Sequence, residues 1–225
     1  MSASATPPGH LGLTRKVVAR YAGASHFARN FVRGKLLTDP ASVAILRLAA
    51  ARGGFGEVTD LGCGRGQVGL SLLLAGLATR VAGLDLDPGK IADADRAAAG
   101  LPARFAVADL CAAAVPAAET VLIFDVLLQL PAAAQQALLA RMAAAARRRI
   151  VIRAFDPARG WRSTVGVAME RLGCRIRRDG STFRPLPLDT LAAPLATAGF
   201  HISVTPCWGW TPLPNVMLVA ERPCG

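Results

Sequence analysis

Five short apolar runs alternate with alanine-rich stretches through the middle of the chain: EVTDL (57–61), RVAGLDL (80–86), ARFAVADL (103–110), TVLIFDV (120–126) and RIVIRAF (149–155). Helices fit between them at about 67–78, 88–99 and 131–146. Strands alternating with helices of this length predict βαβ units, and therefore a parallel sheet with right-handed crossovers. Upstream, 13–35 reads as one or two helices. Residues 40–52 read as another, with Asp39 as its N-cap and Pro40 at its first position. After 156 the alternation stops. PARGWRST (157–164) reads as a loop, 163–173 as a helix, and 188–198 as a helix ended by Gly199. Two apolar runs follow, HISVTPCW (201–208) and NVMLVAER (215–222). The GWTPLP linker between them is too short for a helical crossover, so they are expected as antiparallel neighbours. The expected boundaries are a tail at 1–12, a helical cap at 13–39 and one α/β domain from 40 to 225.

Composition supports a packed domain. Of 225 residues, 52% are hydrophobic, ample for a core. No run approaches ~20 strongly apolar residues, and VGLSLLLAGLA (68–78) suits a buried helix. The first residues show no apolar stretch after a basic one, so no secretory signal is read. The five cysteines, at 63, 111, 174, 207 and 224, form no C-x-x-C pair. Zinc sites and a disulfide framework are therefore not expected, and a reduced cytoplasm is the simple inference. The net charge is +11. Lysine stands only at 16, 35 and 90, so 26 − 3 = 23 basic residues are arginine. Two readings stay open: an acidic partner, or the arginine and alanine excess of a GC-rich coding sequence. The RRR at 147–149 is expected as a solvated helix end.

The stretch VTDLGCGRGQ (58–67) carries the chemistry. An apolar run ends in an acid, then glycine takes every second position at Gly62, Gly64 and Gly66. Such glycines weaken any helix or strand but suit a backbone that turns sharply beside a ligand. In an open parallel sheet the first strand-to-helix turn is the usual cradle, with free N–H groups at the following helix. GRGQVG (64–69) also matches G-x-G-x-x-G, with Asp85 following at about the ~20 residues of the dinucleotide fingerprint. A nicotinamide-dependent oxidoreductase is therefore a competitor. Against it, Asp60 would repel a pyrophosphate, and Asp85, Asp109 and Asp125 add an acid after each of the next three strands. A cationic ligand with an adenosyl group suits that ring better, because carboxylates accept ribose hydroxyls and amino hydrogens.

This constellation resembles the class I S-adenosylmethionine-dependent methyltransferases over about residues 40–222. The resemblance implies a Rossmann-like seven-stranded sheet, five parallel strands plus a C-terminal antiparallel hairpin, with helices on both faces and an N-terminal helical cap. It implies S-adenosylmethionine as cofactor and no metal. Asp60 would hold the methionine end beside the backbone of Gly62, Gly64 and Gly66, with Cys63 small and buried under the loop. Asp85 would take the ribose hydroxyls with Leu86 beside it. Asp109 would take the adenine amino group with Leu110 near the ring, and Asp125 would line the floor where donor meets acceptor. Asp87, followed by Pro88, reads as a helix N-cap.

The segments FVRGKLLTDP (31–40), IFDVLLQLPAAAQQALLARM (123–142), VIRAFDPARGWRS (151–163) and WTPLPNVMLVAER (210–222) are similar to small methyltransferases of aryl polyene and xanthomonadin-type pigment clusters. That likeness implies an aromatic acceptor, free or tethered to an acyl carrier protein, and it would give the basic surface a purpose. The chain departs from that pattern at Leu128 and Gln129, where related sequences tend to have a histidine and an aromatic. DVLLQL stands where amino-group nucleic-acid methyltransferases carry N/D-P-P-Y/F, which argues against a nucleic-acid acceptor; an RNA methyltransferase remains the alternative on charge alone. Candidate catalytic residues are His26, Asp125 and Arg153. Candidate acceptor-binding residues are Tyr21, Lys35, Asp156, Trp161 and Arg162. Arg153, Asp156 and Arg162 would orient a carboxylate or phosphopantetheine, or merely bridge their loop. Trp161, Trp208 and Trp210 would stack an aromatic acceptor or pack the core. His10 falls in the expected tail, and His201 reads as structural.

Overall fold

The computed structural model describes residues 9–177, 183–209 and 211–223, with the side chains of 170–177 excepted. Three helices come first: α1 (His10–Ala19), α2 (His26–Thr38) and α3 (Pro40–Ala51). The 13–35 stretch is thus two helices. α1 also starts inside the expected tail, because His10 is buried and donates from Nε2 to the Leu36 carbonyl oxygen at 3.0 Å, tying α1 to α2. Residues 1–8 of that tail lie outside the described residues. Ser25 caps α2 by accepting from Ala28 N, and Asp39 caps α3 by accepting from Ala41 N, with Pro40 at the first position.

The alternating region folds as β1 (Glu57–Leu61), α4 (Gln67–Leu74), β2 (Arg80–Asp85), α5 (Pro88–Ala98), β3 (Ala103–Val107), β4 (Ala118–Phe124), α6 (Ala132–Ala145) and β5 (Ala146–Phe155). Then come α7 (Trp161–Arg177), α8 (Leu188–Thr197), β6 (His201–Pro206) and β7 (Asn215–Glu221). The sheet order is β3-β2-β1-β4-β5-β7-β6. β1 to β5 run parallel, and β7 lies antiparallel between β5 and β6. This is the expected α/β Rossmann-like sheet with its C-terminal hairpin. Two buried clusters fill it, one centred on Leu70, Val81 and Leu122, the other on Leu139, Ile150 and Leu218.

One expectation fails at the α6–β5 junction. The backbone turns extended at Ala146, so Arg147, Arg148 and Arg149 open a strand rather than close a helix. Arg149 is buried, donates from Nε to Glu221 Oε1 at 2.7 Å on β7, and covers the Phe55 ring at 5.0 Å. The strand takes this last arginine of the three inward, where the carboxylate and the ring compensate its charge. Among the described residues no helix is long and apolar enough to cross a membrane.

Candidate active site

The strand order reverses between β1 and β4, and a cavity of about 740 Å³ opens there, beyond the carboxyl ends of the strands. The glycine loop between β1 and α4 forms one wall. Gly62, Gly64 and Gly66 have φ of 67°, 58° and 75°. L side chains avoid this region, so glycine is the residue the loop needs. Two of the three are also forced by space: a β-carbon on Gly62 would lie 2.3 Å from Val126 Cγ2, and one on Gly66 would lie 2.7 Å from Phe105 Cζ. Gly64 faces open space apart from Gln67 Oε1. Cys63 packs beneath the loop against Gly83, and burial followed by the Asp60 and Asp85 charges pushes its thiol pKa up. It therefore stays a protonated thiol, not a nucleophile.

Asp60 closes this wall from below. It is 3% exposed, faces the cavity, and its Oδ2 has no hydrogen-bond partner among the described residues. Burial, aided by the Asp85 charge, raises its pKa to about 7. Asp85 also lines the cavity. Its Oδ2 accepts from Gly64 N at 2.8 Å and its Oδ1 from Asp87 N at 3.0 Å. The carboxylate thereby braces the glycine loop, and each oxygen retains a lone pair for a ligand hydroxyl. Asp87 is the N-cap of α5, as expected, accepting from Gly89 N and Lys90 N. Leu86 faces the cavity with 68% of its surface exposed, opposite the buried Leu110. β3 stops at Val107, so Asp109 lies in the turn beyond the strand. It faces the cavity while its Oδ1 accepts from Cys111 N at 2.8 Å.

The far wall is an ionic cluster. Lys35 Nζ on α2 lies 2.6 Å from Asp39 Oδ2 and 3.1 Å from Asp125 Oδ2. Arg153 Nη1 on β5 reaches the same two oxygens, at 2.8 Å to Asp39 and 2.5 Å to Asp125. Burial opposes both cations, but the two carboxylates outweigh it and raise the pKa values of Lys35 and Arg153. The same cations outweigh burial at Asp39 and hold its carboxyl below the usual range. Asp125 stands just past β4 at φ 62°, a strained position for a residue with a side chain. Phe31 and Lys35 share the cavity because i and i+4 fall on one helical face, and Asp39 follows in extended backbone at the α2–α3 boundary.

Seven sequence-derived candidates do not line this cavity: Gly66 is the N-cap of α4, Arg153 is buried behind Asp39 and Asp125, and five more lie elsewhere. Tyr21 is fully buried, and its hydroxyl donates to the Arg65 carbonyl oxygen; burial raises its pKa. His26 opens α2 on the exposed side. Asp156 accepts from Ala158 N and Arg159 Nε and bridges its own loop. Arg162 donates to the Thr211 carbonyl oxygen and lies 4.5 Å over the Trp208 ring and 5.0 Å over Trp161. Trp161 itself is 65% exposed. The chain turns away after β5, and these side chains pair with one another instead. Trp210 lies outside the described residues. The site residues not foreseen include Phe31, Asp39, which was read only as a helix cap, Arg65 and Gln67. Gln67 directly follows the glycine loop, and Phe31 sits one turn before Lys35, so both signals stood in the sequence.

Residues 58–149 match the family model described as a methyltransferase domain. No curated protein matches the chain. Among solved structures, magnesium protoporphyrin IX methyltransferase from Synechocystis PCC 6803 with bound SAH is 23% identical, with 97% of this chain and 96% of that chain covered at a TM-score of 0.63. The N-methyltransferase NodS from Bradyrhizobium japonicum WM9, in complex with S-adenosyl-L-homocysteine, is 16% identical over 96% of this chain and 98% of that one, TM-score 0.62. An O-methyltransferase family protein from Burkholderia thailandensis is 17% identical over 92% and 63%, TM-score 0.66. These likenesses carry the fold. The matched domain and these structures make the chain similar to S-adenosylmethionine-dependent methyltransferases. The cavity fits that cofactor, since Asp60 offers an unpartnered buried acceptor to a cationic end and the glycine cradle leaves room for a nucleoside to approach backbone.

Proposed function

We propose that the protein methylates a small acceptor, aromatic or tethered to an acyl carrier protein, in the biosynthesis of a pigment or other secondary metabolite. The observation that carries the acceptor reading is the ionic cluster of Lys35, Asp39 and Asp125 on the cavity wall, backed by the buried Arg153, with Phe31 one helical turn from Lys35. A ring packs against Phe31, and a polar head group meets Lys35 and Asp125. A cavity of about 740 Å³ is within the ~300–1,000 Å³ of small-molecule sites. Its far side is closed by α2 and the 3-10 turn Leu127–Gln129, which suits a small or tethered group better than a duplex.

The cofactor supplies an electrophilic methyl group on a sulfonium. Asp60 and the loop of Gly62, Cys63, Gly64 and Gly66 bind its methionine end. Asp85 and Leu86 bind the ribose, and Asp109 with Leu110 binds the adenine. Asp125, held by Lys35 and Arg153, orients the acceptor so that the two reactants meet in line. Lys35 remains protonated between two carboxylates, so it positions and neutralises charge rather than removing a proton.

The test is incubation with methyl-labelled S-adenosylmethionine and a panel of hydroxyaryl acids, free and as acyl-carrier conjugates, read by mass spectrometry. A product one methyl group heavier from either class supports the reading. Label appearing in RNA, or in neither aryl class while S-adenosylhomocysteine still binds, would overturn the acceptor assignment and leave the cofactor assignment standing.

A further inference from the structure

Among the described residues, two buried oxygen acceptors at the β1–α4 turn lack partners, and only one of them belongs to the acidic motif. The first is Asp60 Oδ2. The second is Gln67 Oε1, on a side chain 7% exposed that also lines the cavity. Gln67 is the first residue of α4, behind the left-handed Gly66, which offers no side-chain cap. Its Oε1 lies beside the glycine loop, 4.0 Å from where a β-carbon on Gly64 would stand. A buried amide oxygen with no donor costs about 1–3 kcal/mol, so a turn that keeps two such acceptors facing one cavity implies a ligand with several donors. A primary ammonium carries three hydrogens and one charge, enough for both oxygens.

We propose that Gln67 is a cofactor-binding residue that, with Asp60, accepts hydrogen bonds from the ammonium of the cofactor's amino-acid end. The assignment rests on the S-adenosylmethionine reading and extends it to a residue outside the Asp-x-Gly-x-Gly-x-Gly motif. Gln67 donates no charge of its own. Its contribution is selective: it adds affinity for ligands that keep the amino-acid end and none for the adenosine end, which Asp85, Leu86 and Leu110 would hold.

The experiment is calorimetric titration of the full chain and of Gln67→Met with two ligands, S-adenosylhomocysteine and 5′-methylthioadenosine. The second lacks the amino-acid end and serves as the folding control. Removing one hydrogen bond to a charged group is expected to weaken S-adenosylhomocysteine by on the order of 10-fold and to leave methylthioadenosine unchanged. Equal weakening of both ligands would mean that Gln67 only shapes the loop, and no change in either would mean that it touches neither; each overturns the proposal. An unsubstituted chain that binds neither ligand would overturn the cofactor reading itself, and this assignment with it.

Discussion

The Tyr21 hydroxyl donates to the main-chain carbonyl oxygen of Arg65 at 2.5 Å, joining the helical cap to the middle of the glycine loop. Arg65 completes the clasp: its Nε donates to Asp93 on α5, and its guanidinium lies 5.4 Å from the Phe31 ring and 5.8 Å from Phe27. The cap is thus fastened to the glycine loop. Tyr21→Phe leaves the Arg65 carbonyl without its donor and is expected to destabilise the protein by about 1–3 kcal/mol. S-adenosylhomocysteine affinity should fall with it. Urea denaturation and calorimetry check both.

The loop glycines separate into two kinds. Gly62→Ala and Gly66→Ala place a methyl inside Val126 or Phe105, so both are expected to abolish cofactor binding and lower the thermal midpoint sharply. Gly64→Ala meets open space and carries only the left-handed backbone cost, ~1–2 kcal/mol. It should fold and still bind. Thermal unfolding with and without S-adenosylhomocysteine distinguishes them.

Asp60 makes both stability and binding depend on pH. Its folded pKa, about 7, lies above the ordinary 3.8. Below 3.8 both folded and unfolded chains are protonated there and the group contributes nothing. Between 3.8 and 7 the unfolded chain releases the proton and the folded chain keeps it, so the ligand-free protein loses stability as pH rises, with the loss complete above 7. Asp60→Asn should remove that slope. A cationic ligand end reverses the preference, so S-adenosylhomocysteine should bind more tightly as pH rises from 5.5 to 8. Affinity that is flat across that range would refute the ammonium role of Asp60.

Arg153 holds two carboxylates that would otherwise repel each other. Its side chain is 7% exposed and that of Asp39 is 8%. Arg153→Met leaves Lys35 as their shared cation and is expected to cost about 3 kcal/mol. Asp39, whose carboxyl is held low, stabilises the fold above its ordinary pKa and loses that contribution as pH falls through its folded pKa. Without Arg153 the acid-side loss should begin at higher pH, visible in denaturation midpoints between pH 3 and 6.

His26→Ala and Trp161→Ala test the boundary of the site. Both side chains are exposed and outside the cavity. Each substitution is expected to change stability by no more than about 0.5 kcal/mol and to leave turnover of a working acceptor intact. A hundredfold loss of turnover in either would place the acceptor beyond the cavity described above.

Local signals were enough for the sheet and the glycine loop. Period-2 apolar runs, Asp-Pro helix starts at 39–40 and 87–88, and a six-residue linker before the last strand specify elements, caps and an antiparallel hairpin, because each depends on neighbours a few residues away. The glycines of 62–66 specify a turn for the same reason. What the sequence could not tell is which side chains meet across long separations. Lys35, Asp39, Asp125 and Arg153 come from α2, its boundary with α3, the end of β4 and the carboxyl end of β5, and nothing in their spacing announces one cluster. Tyr21 and Arg162 looked like acceptor ligands because they flank the site in the chain; packing gave their polar groups to backbone carbonyls instead. Arg149 read as a solvated end, but the strand carries it inward to Glu221. Periodicity and turn chemistry are local and legible, whereas pairing of buried charges is settled only when the sheet brings distant residues together and burial makes an unpaired charge too costly to keep.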